Sequence, residues 1–412
     1  MTTGPRSAVR RLFVSRVISL TGGAAAFLAL NFYIYRRTGS TAWLAAALVL
    51  TFGASGLASP FAGALGDRFD RRRVMIASDL LGAAAFLAMS LVRSPGPLLG
   101  LAFLSALAEA PFFSASAAAI PNLVSDDDLA WANGMVAVGR NAGIVLGPIL
   151  GGLLFSAVGA GAVFAMNGAT FVVSAALVAS VHGRFSGARD GNGEGEGEFT
   201  GLRAGFRYLW TDRVLRTVTF AWLVLVLGLG MTMVADVPLV GLFGAGSFGY
   251  GILIAFWGAG SIVGSLAGRR LRARTEPAAL IGGSAVVAAT CIAVGVSPWF
   301  GLVLGAILAM GVGDGFSLVA NQGIMQRRTP DAVRSRVSGA MDTFVHGGLA
   351  LSYVVGGPAV AAFGPRAVYV LGGVAALIGV VIAGVGLRPA RMDWGAKASP
   401  PAAHEASELL IP

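Results

Sequence analysis

Few side chains in this sequence can do chemistry, and those that can interrupt long apolar runs. Glu109, Arg140, Asp314, Asp342 and His346 all lie in stretches built otherwise from Ala, Val, Leu, Ile, Phe and Gly. An ionisable group in hydrocarbon is costly unless it is paired or wetted, so each is a functional candidate. Glu109 and Arg140 fall at matching depths in consecutive runs, which suits an intramembrane ion pair with a structural or a coupling role. Asp314 is the second-half equivalent of Glu109, but Val345 stands where Arg140 would be. Its carboxylate lacks that partner and can bind and release a proton. Asp342 and His346 are four residues apart and share a helix face, the spacing of a proton relay between carboxylate and imidazole. A helix-start or latch role is the competing reading for Asp342. Asn31 and Asp236 are candidates for lining a substrate cavity, and Asp79, near the start of its run, is expected to snorkel to the interface.

These groups sit in a chain of 412 residues that is 56% hydrophobic and 12% charged, about half the charge of an ordinary soluble domain. That excludes a soluble globular enzyme. A helix needs about 20 apolar residues to cross the hydrocarbon core, and the runs fall at 13–35, 42–65, 74–92, 97–120, 132–155, 161–182, 215–238, 248–268, 277–297, 299–321, 336–361 and 366–387. Twelve spans follow. The runs are continuous, without the alternation of a β-barrel strand, and the 60 glycines suit closely packed membrane helices. One cysteine, Cys291, excludes an intrachain disulfide and a cysteine metal cluster. Nothing resembles a phosphate loop, a zinc site or a nucleophile triad, so neither metal nor cofactor is expected.

The net charge of +10 could suggest nucleic acid, but the basic residues are sorted by position. With both termini inside, 25 of the 30 fall in cytoplasmic segments, Arg16 among them, and 4 in outer loops. The charge marks the cytoplasmic face of a multi-pass cell-membrane protein. It gives no support to a nucleic-acid partner.

Residues 1–182 are expected to form one six-helix bundle and 214–388 a second, with 183–213 a cytoplasmic linker and 389–412 a disordered tail. The linker opens Gly-rich and acidic. It closes on Leu202, Phe206 and Leu209 along one helical face, which predicts a short amphipathic helix on the inner leaflet. Sliding the chain by 205 residues aligns its halves: Glu109 meets Asp314, Gly134 meets Gly339, and Gly151 and Gly152 meet Gly356 and Gly357. Six spans per repeat give both halves the same topology, related by a pseudo-two-fold axis along the membrane normal. That is the plan of an all-α, two-bundle, alternating-access transporter.

Two motifs sharpen this. The loop Gly63 to Arg73, GALGDRFDRRR, places Asp67, Arg68, Arg71 and Arg72 on a tight cytoplasmic turn, where they can clamp neighbouring helix ends. It resembles the G-x-x-x-D-R-x-x-R-R loop of the major facilitator superfamily, with Asp70 at the family's usual glycine, a departure associated with the branch related to enterobactin exporters and macrolide-efflux proteins. In the fifth span Gly134, Gly143, Gly147-Pro148 and Gly151-Gly152 match the spacing that marks the superfamily's antiporters. Small residues and a proline kink let such a helix pack tightly on a partner and bend. Asp126, Asp127 and Asp128 form an acidic cytoplasmic loop suited either to latching onto Arg71 and Arg72 or to helix capping.

The resemblance implies a monomeric secondary transporter, not an enzyme, that exports an amphiphilic small molecule of drug or siderophore type in exchange for protons. Uptake of a nutrient and lipid flipping are the alternatives.

Overall fold

The computed structural model of the chain describes residues 5–123, 126–181, 185, 198–330 and 333–388. All the regular structure among the described residues is helical. In order, the helices are α1 (Pro5–Thr38), α2 (Thr41–Arg68), α3 (Arg71–Leu91), α4 (Pro95–Leu123), α5 (Asp126–Ser180), α6 (Glu198–Thr211), α7 (Arg213–Leu242), α8 (Gly246–Gly268), α9 (Glu276–Val296), α10 (Phe300–Arg328) and α11 (Arg334–Gly386). In hydrocarbon a helix satisfies every backbone donor and acceptor within its own segment, which is why such sequences take no other form.

Two helices are too long for one crossing. α5 has 55 residues and α11 has 53; at 1.5 Å per residue each runs to about 80 Å, against a hydrocarbon core of about 30 Å. Each breaks at a glycine of non-helical backbone, Gly159 (φ 82°, ψ 175°) in α5 and Gly364 (φ 80°, ψ 165°) in α11. A side chain is strained at such angles. Counting both halves of α5 and α11, and leaving α6 aside, gives twelve membrane-crossing segments.

The repeat is built into the backbone. α3 and α9 begin and end at positions 205 residues apart, and so do α4 and α10. The positive-φ turns Gly39 and Gly244, like the breaks Gly159 and Gly364, keep the same interval.

The chain divides into two compact units, one of Met1–Asp190 with Asp236–Gly258, the other of Gly191–Ala235 with Ala259–Pro412. This differs from a boundary drawn in the linker: the end of α7 and the first half of α8 group with the six amino-terminal crossings. In the first unit Ala25, Ala29, Phe155, Phe164 and the stacked rings of Phe86 and Phe171, 5.7 Å apart, form a buried core. In the second, Val218, Trp222, Leu280, Ala320 and Ala383 do so. Large apolar side chains such as Leu81, Leu104 and Leu371 are left exposed, as a surface facing acyl chains requires.

α6 is amphipathic, as its sequence predicts, but its apolar face is covered by protein. Leu209 is buried with Leu215, Val337, Ala340 and Met341, and the Phe206 ring meets Phe344 edge-on at 5.5 Å. Tyr208 donates to the Arg328 carbonyl at 3.1 Å, and Arg328 pairs with Asp212 at 3.4 Å. Burial, with the Asp212 carboxylate nearby, pushes the Tyr208 phenol above its ordinary value, so it stays a donor. The helix therefore docks on the ends of α10 and α11, where the sequence suggested a lipid surface.

Candidate functional site

The polar side chains of the first unit gather where α1, α3, α4 and α5 meet. Asp79 on α3, expected at the interface, is instead 1% exposed. Ser174 Oγ on the second half of α5 donates to Asp79 Oδ2 at 2.6 Å, and Ser15 Oγ on α1 lies 2.8 Å from Ser174 Oγ. Glu109 on α4 lies within electrostatic range of Asp79. Arg16, counted from sequence among the cytoplasmic residues, belongs to this cluster: its guanidinium donates to Ser116 Oγ, lies 4.7 Å from the Phe113 ring centre, and interacts with Asp79 and Arg140.

The expected Glu109–Arg140 pair is not formed among the described residues. Arg140 is exposed and Glu109 half-buried, and Arg140 interacts instead with Arg16. Matching depth on consecutive helices fixes height but not rotation, and rotation separates the two. The arginine that acts on Asp79 is Arg16, from a helix that nothing in the sequence connects with it. A lone Ser15 or Ser174 in an apolar run carries no signal of its own.

Asp314 on α10 is half-buried. Its neighbours Gly313 and Gly315 press against the backbone of Gly283 on α9 and Ser261 on α8, so glycine brings helices close on both sides of the carboxylate. Asp342 and His346 are exposed on α11, and His346 Nδ1 lies 2.8 Å from the Asp342 backbone oxygen. A carbonyl can only accept, so Nδ1 donates in this contact. The pair shares a face, but the contact runs to the main chain and not to the carboxylate. Asn31 is 1% exposed, donates to the Phe27 carbonyl at 2.8 Å, and keeps its Oδ1 buried without a partner. It lies among the buried residues of the first unit. Asp236 is half-buried and engaged.

The glycines of α5 divide between two faces. A Cβ on Gly143 would meet Leu20 Cβ at 2.9 Å, one on Gly147 Ala24 Cβ at 2.6 Å, and one on Gly151 Ala25 Cα at 2.6 Å, all on α1. Gly152 instead faces α8, where its added Cβ would be 2.6 Å from the Ser247 carbonyl oxygen, and the Pro148 carbonyl lies against Gly251. Ser247 Oγ donates to the Gly152 carbonyl at 3.1 Å. Gly134 touches nothing within 4 Å. Gly139, outside the motif, packs on Val17 and Phe13 of α1.

At the turn between α2 and α3 Asp70, the residue that departs from the family pattern, caps α3 by accepting from Arg73 N at 3.0 Å. Arg72 donates to the Ala179 carbonyl and Arg71 to that of Phe185 at 3.5 Å, tying the turn to the end of α5. Arg68 is exposed at the end of α2. Gly63 and Asp67 lie on α2, with side-chain surroundings outside the described residues, as are those of Asp126 and Asp127.

Twelve apolar crossings in two repeated halves, with only a few charges inside the crossings, define a polytopic membrane transporter. Residues 12–351 match the Major Facilitator Superfamily, and the chain belongs to that family. It is a transporter, not an enzyme. It is similar to the multidrug efflux pump Tap of Mycobacterium tuberculosis, with 26% identity over 218 residues, 50% of this chain and 52% of that protein. It is similar also to macrolide efflux protein A of Streptococcus pyogenes, at 27% over 41% of this chain and 43% of that one. A putative bacilysin exporter, BacE of Bacillus subtilis, matches at 25% over 54% and 56%. The matches span about half the length of these curated relatives. Among solved structures, the nucleoside transporter NupG superposes with TM-score 0.76 at 13% identity, covering 92% of this chain and 99% of that one. A bacterial homologue of the iron transporter ferroportin in its inward-facing state gives 0.76 at 16%, covering 94% and 100%.

Proposed function

We propose that this protein exports an amphiphilic small molecule from the cytoplasm by alternating access, driven by proton entry. The observation that carries the reading is the glycine-proline helix α5, whose Gly143, Gly147 and Gly151 lie against the backbone of α1 while Gly152 and Pro148 lie against α8. A helix seated that closely on two neighbours can slide and bend without opening a leak. Relatives named for multidrug, macrolide and bacilysin export support the direction.

In this reading Asp314, and Asp342 with His346, take up protons from outside, discharge substrate and allow return to the inward-facing state, with Glu109 a further candidate. The loop from Gly63 to Arg73 steadies one end state. In this reading the protein works as a monomer in the cell membrane with both termini in the cytoplasm, an orientation that the arginine distribution supports. A strain lacking other pumps, expressing this chain and challenged with erythromycin, ethidium and siderophores, tests the reading. Lower accumulation of at least one compound, abolished by a proton uncoupler, is expected; unchanged accumulation across the panel contradicts it.

A further inference from the structure

Asp79 is the most deeply buried carboxylate among the described residues and has no part in the cycle outlined above. We propose that Asp79 is an additional proton-exchanging group of that cycle, loaded through Glu109, and that the proton state of Asp79 is read by the Ser174–Ser15 hydroxyl bridge to α1. The proposal rests on the protein being a proton-coupled transporter.

The bridge is directional. As a carboxylate, Asp79 accepts from Ser174, which obliges Ser15 to donate to Ser174. As a carboxylic acid, Asp79 can donate instead, and the chain of hydroxyls reverses. One proton thus changes how α3 and α5 are tied to α1, along the stretch of α1 that continues to the seats of Gly143, Gly147 and Gly151. Glu109 supplies the route, because it is half-buried where Asp79 is closed off. An O–H bond breaks at the Glu109 carboxyl, whose oxygen keeps the bonding pair, and one forms at Asp79, whose oxygen shares a lone pair with the proton; no other reactant is needed.

The charged groups facing the cluster are Arg16 from α1, Glu109 from α4 and, through Arg16, Arg140 from α5. Arg16 holds Ser116, yet its Nε is buried without an acceptor. An orphaned buried donor is unfavourable in one state, and it gains a use if Arg16 turns to Asp79 when that carboxylate is charged. Packing does not require the cluster. In the second half, at the same interval of 205 residues, Ser284 stands for Asp79, Gly379 for Ser174, Phe220 for Ser15 and Ala221 for Arg16, while Asp314 stands for Glu109.

Infrared titration of the purified protein, with aspartate carrying a carbon-13 carboxyl, reads the group without a substrate. The wild type should show a carboxylic-acid band that appears and disappears with pH and is lost in Asp79→Asn. Glu109→Gln should move its midpoint by about one pH unit or more. Ser174→Ala, which keeps the carboxyl and removes the bridge, should shift the band even if Asp79→Asn fails to fold. Asp314→Asn should leave this band in place. An Asp79→Asn spectrum superimposable on wild type, or a midpoint unmoved by both Glu109→Gln and Ser174→Ala, overturns the proposal. Proton-driven export without the Asp79 band defeats this proposal alone; a titrating Asp79 in a protein that drives no export defeats the reading of function on which it rests.

Discussion

Gly159 and Gly364 hold the same backbone, φ 82° and ψ 175° against φ 80° and ψ 165°, each at the break of a helix too long for one crossing. Nothing lies within 4 Å of a Cβ built on either, so the backbone angle alone demands glycine. Both positions serve the same turn in the two halves of an internal repeat.

Replacing either residue with alanine should therefore cost stability through backbone strain without a clash, about 1–3 kcal/mol. The unfolding midpoint in detergent should fall by similar amounts for Gly159→Ala and Gly364→Ala. Equal midpoints for variant and wild type would remove the strain argument.

The antiporter-type glycines should separate into two classes. Gly147→Leu and Gly151→Leu drive a side chain into α1 and should destabilise by about 1–3 kcal/mol while abolishing transport. Gly134→Ala, exposed and with open space around the new Cβ, should be neutral or stabilising by up to about 1 kcal/mol from helix propensity. Melting curves and transport for the three variants check the division; a Gly134→Ala as damaging as Gly147→Leu would contradict it.

The spans and their repeat were legible in the sequence because hydrophobic length and a fixed offset are one-dimensional properties. What failed depended on helix rotation. Glu109 and Arg140 share a depth and face apart; Leu202, Phe206 and Leu209 define an amphipathic face without saying whether lipid or the ends of α10 and α11 cover it. Asp79 looked like an interfacial residue by its position near the start of a run, and its partners Ser15 and Ser174 lie on helices far away in sequence. Gly152 belongs to the same motif as Gly151 yet faces α8 instead of α1. Adjacent residues on a helix point about 100° apart, and spacing alone does not say which neighbour occupies each direction.

The docking of α6 gives a third prediction. Gly205 lies against the Arg336 carbonyl with no room for a Cβ, so Gly205→Val should lift α6 from α11. Trypsin cleavage at Arg203 or Arg207 should accelerate several-fold, with Phe206→Ala, which loses the Phe344 contact, showing a milder change. Unchanged cleavage in both variants would place the helix elsewhere.

Asp70 caps α3 through one hydrogen bond, and its loss in Asp70→Ala should cost about 1 kcal/mol. Asp70→Asn and Asp70→Ser should recover most of the thermal midpoint, since either can accept from Arg73 N. Failure of both to rescue would mean that the charge of Asp70, not its cap, matters at this turn.

The most direct test of proton-coupled export uses everted membrane vesicles whose acid interior quenches an acridine dye. With the wild-type protein, adding erythromycin or ethidium should draw protons out as the compound enters, and fluorescence should recover; with Asp314→Asn at equal expression, recovery should be lost. Compound entry that persists after an uncoupler has collapsed the gradient, or an equal recovery with Asp314→Asn, would contradict the account.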